Sequence, residues 1–100
     1  MPEDTATWMV AQVIWAVSEI QVQCGLEVGA MDGTIVPLSD GFDSLNCLEA
    51  SVLLSKRLGV TVEHRVFATS RGVPVSIAQI ARTIISQHGA RINRPSELAA

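Results

Sequence analysis

Apolar residues along this chain recur at helical rather than strand-like intervals, in three well-separated stretches. From Thr5 to Gln23 the pattern predicts a helix in which Trp8, Met9, Val13, Ile14, Trp15, Val17 and Ile20 cover most of the circumference. Gln12, Glu19 and Gln23 leave only a narrow wet stripe, so this helix is either deeply buried or gives part of its surface to a partner. Asp4 or Thr5 is available to cap its start, and Gly25 to end it. Residues 25–42 then lose the period at Gly25, Gly29, Asp32-Gly33, Pro37 and Asp40-Gly41, which predicts a long loop pinned by Leu26, Val28, Ile35, Val36 and Leu38. A β-hairpin across Asp32-Gly33 is the alternative, with short, weakly alternating flanks.

The period returns from Ser44 to Leu58. It places Leu45, Leu48, Val52 and Leu53 on the core side and Asn46, Glu49, Lys56 and Arg57 outside. Asp43 stands at the cap position, and Gly59 followed by Val60 supplies a left-handed ending. Between Val60 and Val75 the β-branched residues, Gly72 and Pro74 allow only a short helix, Glu63 to Ala68, anchored by Val66 and Phe67. The last helix opens on a capping box of Ser76 and Gln79 with Val75 and Ile80 as staple residues. It buries Ile77, Ile80, Ala81, Ile84 and Ile85 and stops at Gly89. The expected architecture is all-α: three longer helices and a short third one in a single domain over residues 1–89, with 90–100 as a flexible tail of mixed polarity.

Composition supports helices over strands, since 48% of the 100 residues are hydrophobic yet only 4% are aromatic and none is Tyr. The net charge of −3 conceals an asymmetry. Residues 1–50 hold eight acids and no Lys or Arg, while residues 51–100 hold two acids and all seven bases, leaving −8 and +5. Arg65, Arg71, Arg82, Arg91 and Arg94 are scattered, whereas a nucleic-acid binder concentrates positive charge on one face. Cys24 and Cys47 do not make a disulfide framework and read as reduced, partly buried small hydrophobes. An acidic start without a basic segment argues against an export signal, and the run Trp8–Val17 falls short of the about 20 residues that cross a bilayer. The expectation is a cytoplasmic monomer.

The junction Gly41-Phe42-Asp43-Ser44-Leu45 carries the chemistry. It sets a small hydroxyl on the first turn of a helix, where unpaired amides and the macrodipole favour negative charge, so a phosphodiester on Ser44 Oγ sits in a compatible field. Asp43 caps the turn and can offer a carboxylate to Mg²⁺ brought by a modifying enzyme. Together with Leu48-Glu49-Ala50 and Leu54-Ser55-Lys56-Arg57-Leu58-Gly59-Val60, this junction resembles the signature of acyl carrier proteins. Val66-Phe67 and Ser76-Ile77 through Ile80-Ala81 extend the resemblance, which covers roughly residues 5–88. It implies a four-helix bundle of acyl-carrier type and a phosphoprotein without catalytic activity of its own. Ser44 would receive phosphopantetheine from coenzyme A and carry acyl groups for fatty acid, lipid or polyketide biosynthesis. Implied partners are a phosphopantetheinyl transferase and enzymes that transfer or elongate acyl groups, docking through Leu45, Glu49, Lys56 and Arg57. Val52, Phe67 and Ile80 are the candidates for lining an acyl pocket in the bundle.

The chain departs from the common fatty-acid carriers in two places. Its second helix offers Glu49 and then Lys56 and Arg57 in place of a row of acids, and Glu63-His64-Arg65 with Gly72-Val73-Pro74 replaces an acidic third-helix region. Both differences point to a specialised carrier with dedicated partners. A Ser/His hydrolase lacks its Gly-x-Ser-x-Gly elbow, and Cys24, Cys47, His64 and His88 lack zinc-ligand spacing. The remaining alternative is a non-catalytic helical module that binds protein or DNA through its basic second half.

Overall fold

The computed structural model describes residues 4–26 and 28–92; the predicted flexible tail lies outside them beyond Ile92. Three α-helices, α1 (Thr5–Gln23), α2 (Ser44–Leu58) and α3 (Ile77–His88), form a mostly helical unit without a strand among the described residues. The short third helix is reduced to a single 3-10 turn, His64–Phe67, and a second such turn, Gly89–Arg91, extends α3 beyond its expected stop. Gly89 keeps right-handed helical angles there, so the first residues of the tail continue the path of α3 and bring Ile92 against the core. None of the described helices is long and apolar enough to cross a membrane.

α1 is the centre of the fold. Asp4 caps it, its carboxylate accepting from the Thr7 amide at 2.8 Å, and Met9, Val13, Ala16, Val17 and Ile20 are buried. Its end closes as a Schellman motif: the Gly25 amide donates to the Val22 carbonyl, the Leu26 amide to that of Gln21, and Gly25 supplies the positive φ of 76°. Gln12 does not belong to a wet stripe. It is only 7% exposed, because it faces α2 and binds the side chain of Arg57.

The buried face of α2 also differs from the expected one. Cys47, Ala50, Ser51, Leu54 and Leu58 turn inward, while Leu45, Leu48 and Val52 are 63%, 44% and 45% exposed. Small residues at Cys47, Ala50 and Ser51 share the buried face with Leu54 and Leu58, and Leu45 and Leu48 are left outside. Ser51 fits a buried site because its hydroxyl donates to the Leu48 carbonyl at 2.7 Å. α3 buries Ile77, Ile80, Ala81 and Ile84 as its period predicts.

The loop before α2 is held differently from the expectation. Leu26, Val28, Ile35 and Val36 are exposed, and Asp32-Gly33 forms a tight turn closed by Asp32 and Thr34 instead of a hairpin. Anchoring falls to Met31, Pro37, Leu38 and Phe42, and to two loop carbonyls: Gly33 accepts from the Ala78 amide at 2.9 Å and Ile35 from the Ile77 amide at 2.8 Å. The loop thereby caps α3, whose Ser76 covers only the Gln79 amide and forms no reciprocal box. A Cβ on Gly33 would stand 3.2 Å from that of Ala78, a tight contact that glycine avoids.

α1 packs on both α2 and α3, and those two do not pack on each other. The 3-10 turn bridges them and inserts Phe67, fully buried with its ring 6.5 Å from that of Phe42. Because α2 and α3 diverge on this side, a groove opens between them.

Candidate functional site

Ser44 is exposed as the first residue of α2, directly after the cap. Asp43 accepts from the Asn46 amide at 3.1 Å, and the Asn46 side chain accepts from the Asp43 amide at 2.9 Å, completing a capping box. The box fixes the third amide of the helix and the Cys47 amide bonds the Asp43 carbonyl, so the amides of Ser44 and Leu45 have no acceptor among the described residues. At α3 the corresponding positions are closed by Gly33 and Ile35. The start of α2 thus presents open donors and a free hydroxyl together, which α3 does not.

Ser44 also stands on the lip of the groove between α2 and α3, a space of about 670 Å³. Its floor is apolar, from Leu38, Cys47, Val66, Phe67 and Val75, and one wall is the polar face of α3, Gln79, Thr83 and Gln87. The segment Glu63–Arg65 forms the opposite rim and separates this groove from a second one of about 450 Å³, lined by Leu48, Val52, Lys56 and Thr61.

The sequence-derived site residues fall into distinct places. Asp43, Ser44 and Leu45 are together at the start of α2, with Glu49 exposed a turn later. Lys56 borders the second groove. Arg57 is committed to the fold: its guanidinium lies 4.4 Å from the centre of the Trp15 ring and its Nε–H donates to Gln12. The three residues expected to line one acyl pocket are not brought together. Val52 faces the second groove, Phe67 floors the first, and Ile80 is buried in the core and borders neither. The reason is the rotation of α2 described above, which turns Val52 outward.

Cys47 lies under Ser44 as a buried free thiol, its pKa pushed up to about 11 by burial and then by the nearby charge of Asp43. It is protonated at neutral pH and is a poor nucleophile. Cys24, expected to be partly buried, is an exposed free thiol, and the Asn46 amide points at its sulfur at 3.4 Å. His64 borders the same groove as Ser44, but no hydrogen bond joins them and no carboxylate orients the ring, since Glu63 pairs with Arg65 at 3.0 Å. Ser44 has no activating base of its own among the described residues. Nor does any group of three His, Cys, Asp or Glu there stand ready to hold a metal ion, so a cation at Asp43 would need ligands from another molecule.

Sequence reasoning missed Asn46 as the reciprocal cap and the polar wall of α3. Both had a signal: Asp-x-x-Asn at a helix start, and Gln79, Thr83 and Gln87 spaced by four along the polar side of the last helix. Comparison with family models, curated proteins and solved structures returns no match for this chain, so its functional reading rests on its own residues and their arrangement.

Proposed function

We propose that this protein is an acyl carrier whose phosphopantetheine arm is esterified to Ser44. The observation that carries the reading is the coincidence at one point of an exposed serine hydroxyl, two open first-turn amides and the mouth of a groove of about 670 Å³. A phosphodiester fits these donors: the amides of Ser44 and Leu45 and the helix dipole favour its negative charge. Asp43 opposes it, and a divalent cation shared with the modifying enzyme would offset that repulsion.

Modification would form a bond from Ser44 Oγ to phosphorus as the bond between the two phosphates of coenzyme A breaks, releasing adenosine bisphosphate. The hydroxyl proton would pass to a base on the transferring enzyme, which agrees with the lack of a base beside Ser44. The arm supplies a terminal thiol that holds acyl groups as thioesters and raises their local concentration at successive enzymes. This chain's own residues present the hydroxyl, favour the phosphate and offer docking surface: Leu45, Leu48 and Val52 form an exposed apolar stripe, with Glu49 and Lys56 on the same helix. Its partners would be a phosphopantetheinyl transferase and acyl-transferring or acyl-elongating enzymes.

Intact mass after incubation with coenzyme A and a broad-specificity phosphopantetheinyl transferase tests the reading. One added phosphopantetheine on the native chain and none on Ser44→Ala is the expected result. An unchanged native mass with several such transferases would overturn it.

A further inference from the structure

The outward face of α2 changes charge sign from one end to the other. Leu45, Leu48 and Val52 are 63%, 44% and 45% exposed and stand three and four residues apart, so they form one apolar row along the helix. Glu49 and Lys56 flank that row on one side, roughly 10 Å apart along the axis. Asp43 adds its charge at the end nearest Ser44. At the far end Lys56 is exposed and has no ion-pair partner among the described residues, and His64 and Arg65 border the same space. Glu63, the acid beside them, is held by Arg65 at 3.0 Å. Arg57 adds nothing to this face, since Trp15 and Gln12 hold it.

Beside the row lies the second groove, of about 450 Å³, with Leu48, Val52 and Val62 giving it a largely apolar lining. It is preformed. The Ser55 hydroxyl accepts from the Val62 amide at 2.8 Å and donates to the Ser51 carbonyl at 2.8 Å, which ties residues 61–63 to α2. An apolar trough that is acidic at one end and basic at the other is complementary to a helix with an apolar ridge and charges in the opposite order. We infer that this face docks an amphipathic helix of a partner protein, which sets a base beside Glu49 and a carboxylate beside Lys56 and Arg65. Surfaces of one charge sign fit less well: an anionic membrane meets Asp43 and Glu49, and a uniformly basic helix meets Lys56 and Arg65. The face gives the docking surface of the carrier reading a particular partner chemistry, yet it needs no arm on Ser44.

Three fluorescein-labelled helical peptides with one shared leucine row test it: one with lysines at one end and glutamates at the other, one with lysines throughout, one with glutamates throughout. Fluorescence anisotropy with the native chain should show the bipolar peptide binding about 5-fold tighter than either of the others, the order that exposed ion pairs supply. Lys56→Glu with Arg65→Glu should move the preference to the all-lysine peptide. Leu48→Gln with Val52→Gln should abolish binding of all three while helical circular dichroism is kept. Equal or tighter binding of the all-lysine peptide by the native chain overturns the inference, as does binding that survives the two glutamines. So does the absence of any binding. Sedimentation velocity and flotation with phosphatidylglycerol vesicles complete the test. Self-association lost in the glutamine variant gives the face to a second copy, flotation lost in it gives the face to a membrane, and either result overturns a partner helix. Intact mass after loading is read separately, so the chain can gain its arm while this face fails, and the face can bind while Ser44 stays unmodified.

Discussion

Asp43 does three things at once: its carboxylate caps the Asn46 amide, its own amide donates to the Asn46 side chain, and its charge raises the Cys47 pKa. Replacing it by Ala removes the cap and should cost about 1 kcal/mol in urea denaturation. Asn46→Ala should cost less alone, and the double variant less than the sum, because the two side chains form one unit. Cys47 gives a pH signature with a defined sign. Its thiol ionises near 9.0 when unfolded and near 11 when folded, so only the unfolded state loses its proton between those values. Stability should be unaffected by this group below about pH 9 and fall as pH rises from there toward about 11. Chemical denaturation across that window should show the loss, and Cys47→Ala should abolish that part of it. The same raised pKa means that iodoacetamide near pH 8 should label Cys24 and spare Cys47 until the protein is denatured.

Among the helices, α2 decides how the site is presented, and it also marks the limit of what the letters reveal. Its boundaries, Asp43 and Gly59, are legible because capping and left-handed endings need particular residue types at particular places. Its rotation is not, because the apolar residues run around more than one face and leucines stand on both the buried and the exposed one. Leu48→Gln should therefore change stability by less than about 0.5 kcal/mol, whereas Leu54→Ala should cost about 2–5 kcal/mol. Equal losses would return α2 to the rotation that its leucines suggest. The clamp from Arg57 to α1 was hidden for a related reason: a charged residue at a helix end reads as solvated until the tertiary fold sets Trp15 and Gln12 against it. Arg57→Ala should lose about 1–2 kcal/mol of stability, and Lys should restore only part, since it keeps the charge over the ring without the Nε–H that Gln12 receives. The hydroxyl of Ser44 and its place on a first turn were legible throughout. The groove beside it was not, because it lies between α2 and α3, elements that do not follow directly on one another in the chain.

At the scale of the molecule, the decisive feature is that α2 and α3 meet only through α1 and the turn His64–Phe67. A four-helix bundle would close that side with a full helix; here a single 3-10 turn bridges it, and Phe67 is the largest side chain filling the junction. Two consequences can be measured together. Amide exchange should be slowest for Val13, Ala16 and Val17, which are buried in the helix packed on both sides, and faster in the turn, which has few backbone bonds of its own. Phe67→Ala should cost about 3–5 kcal/mol, because it leaves a cavity beneath the groove and removes the ring that meets Phe42. Phe67→Leu should cost less, as most of the volume remains. If the bridge alone holds α3 at its distance from α2, Phe67→Ala should also speed exchange in α3 more than in α2, since α2 keeps the Arg57 clamp to α1. Equal acceleration in both helices would mean that α1, by itself, sets the width of the groove.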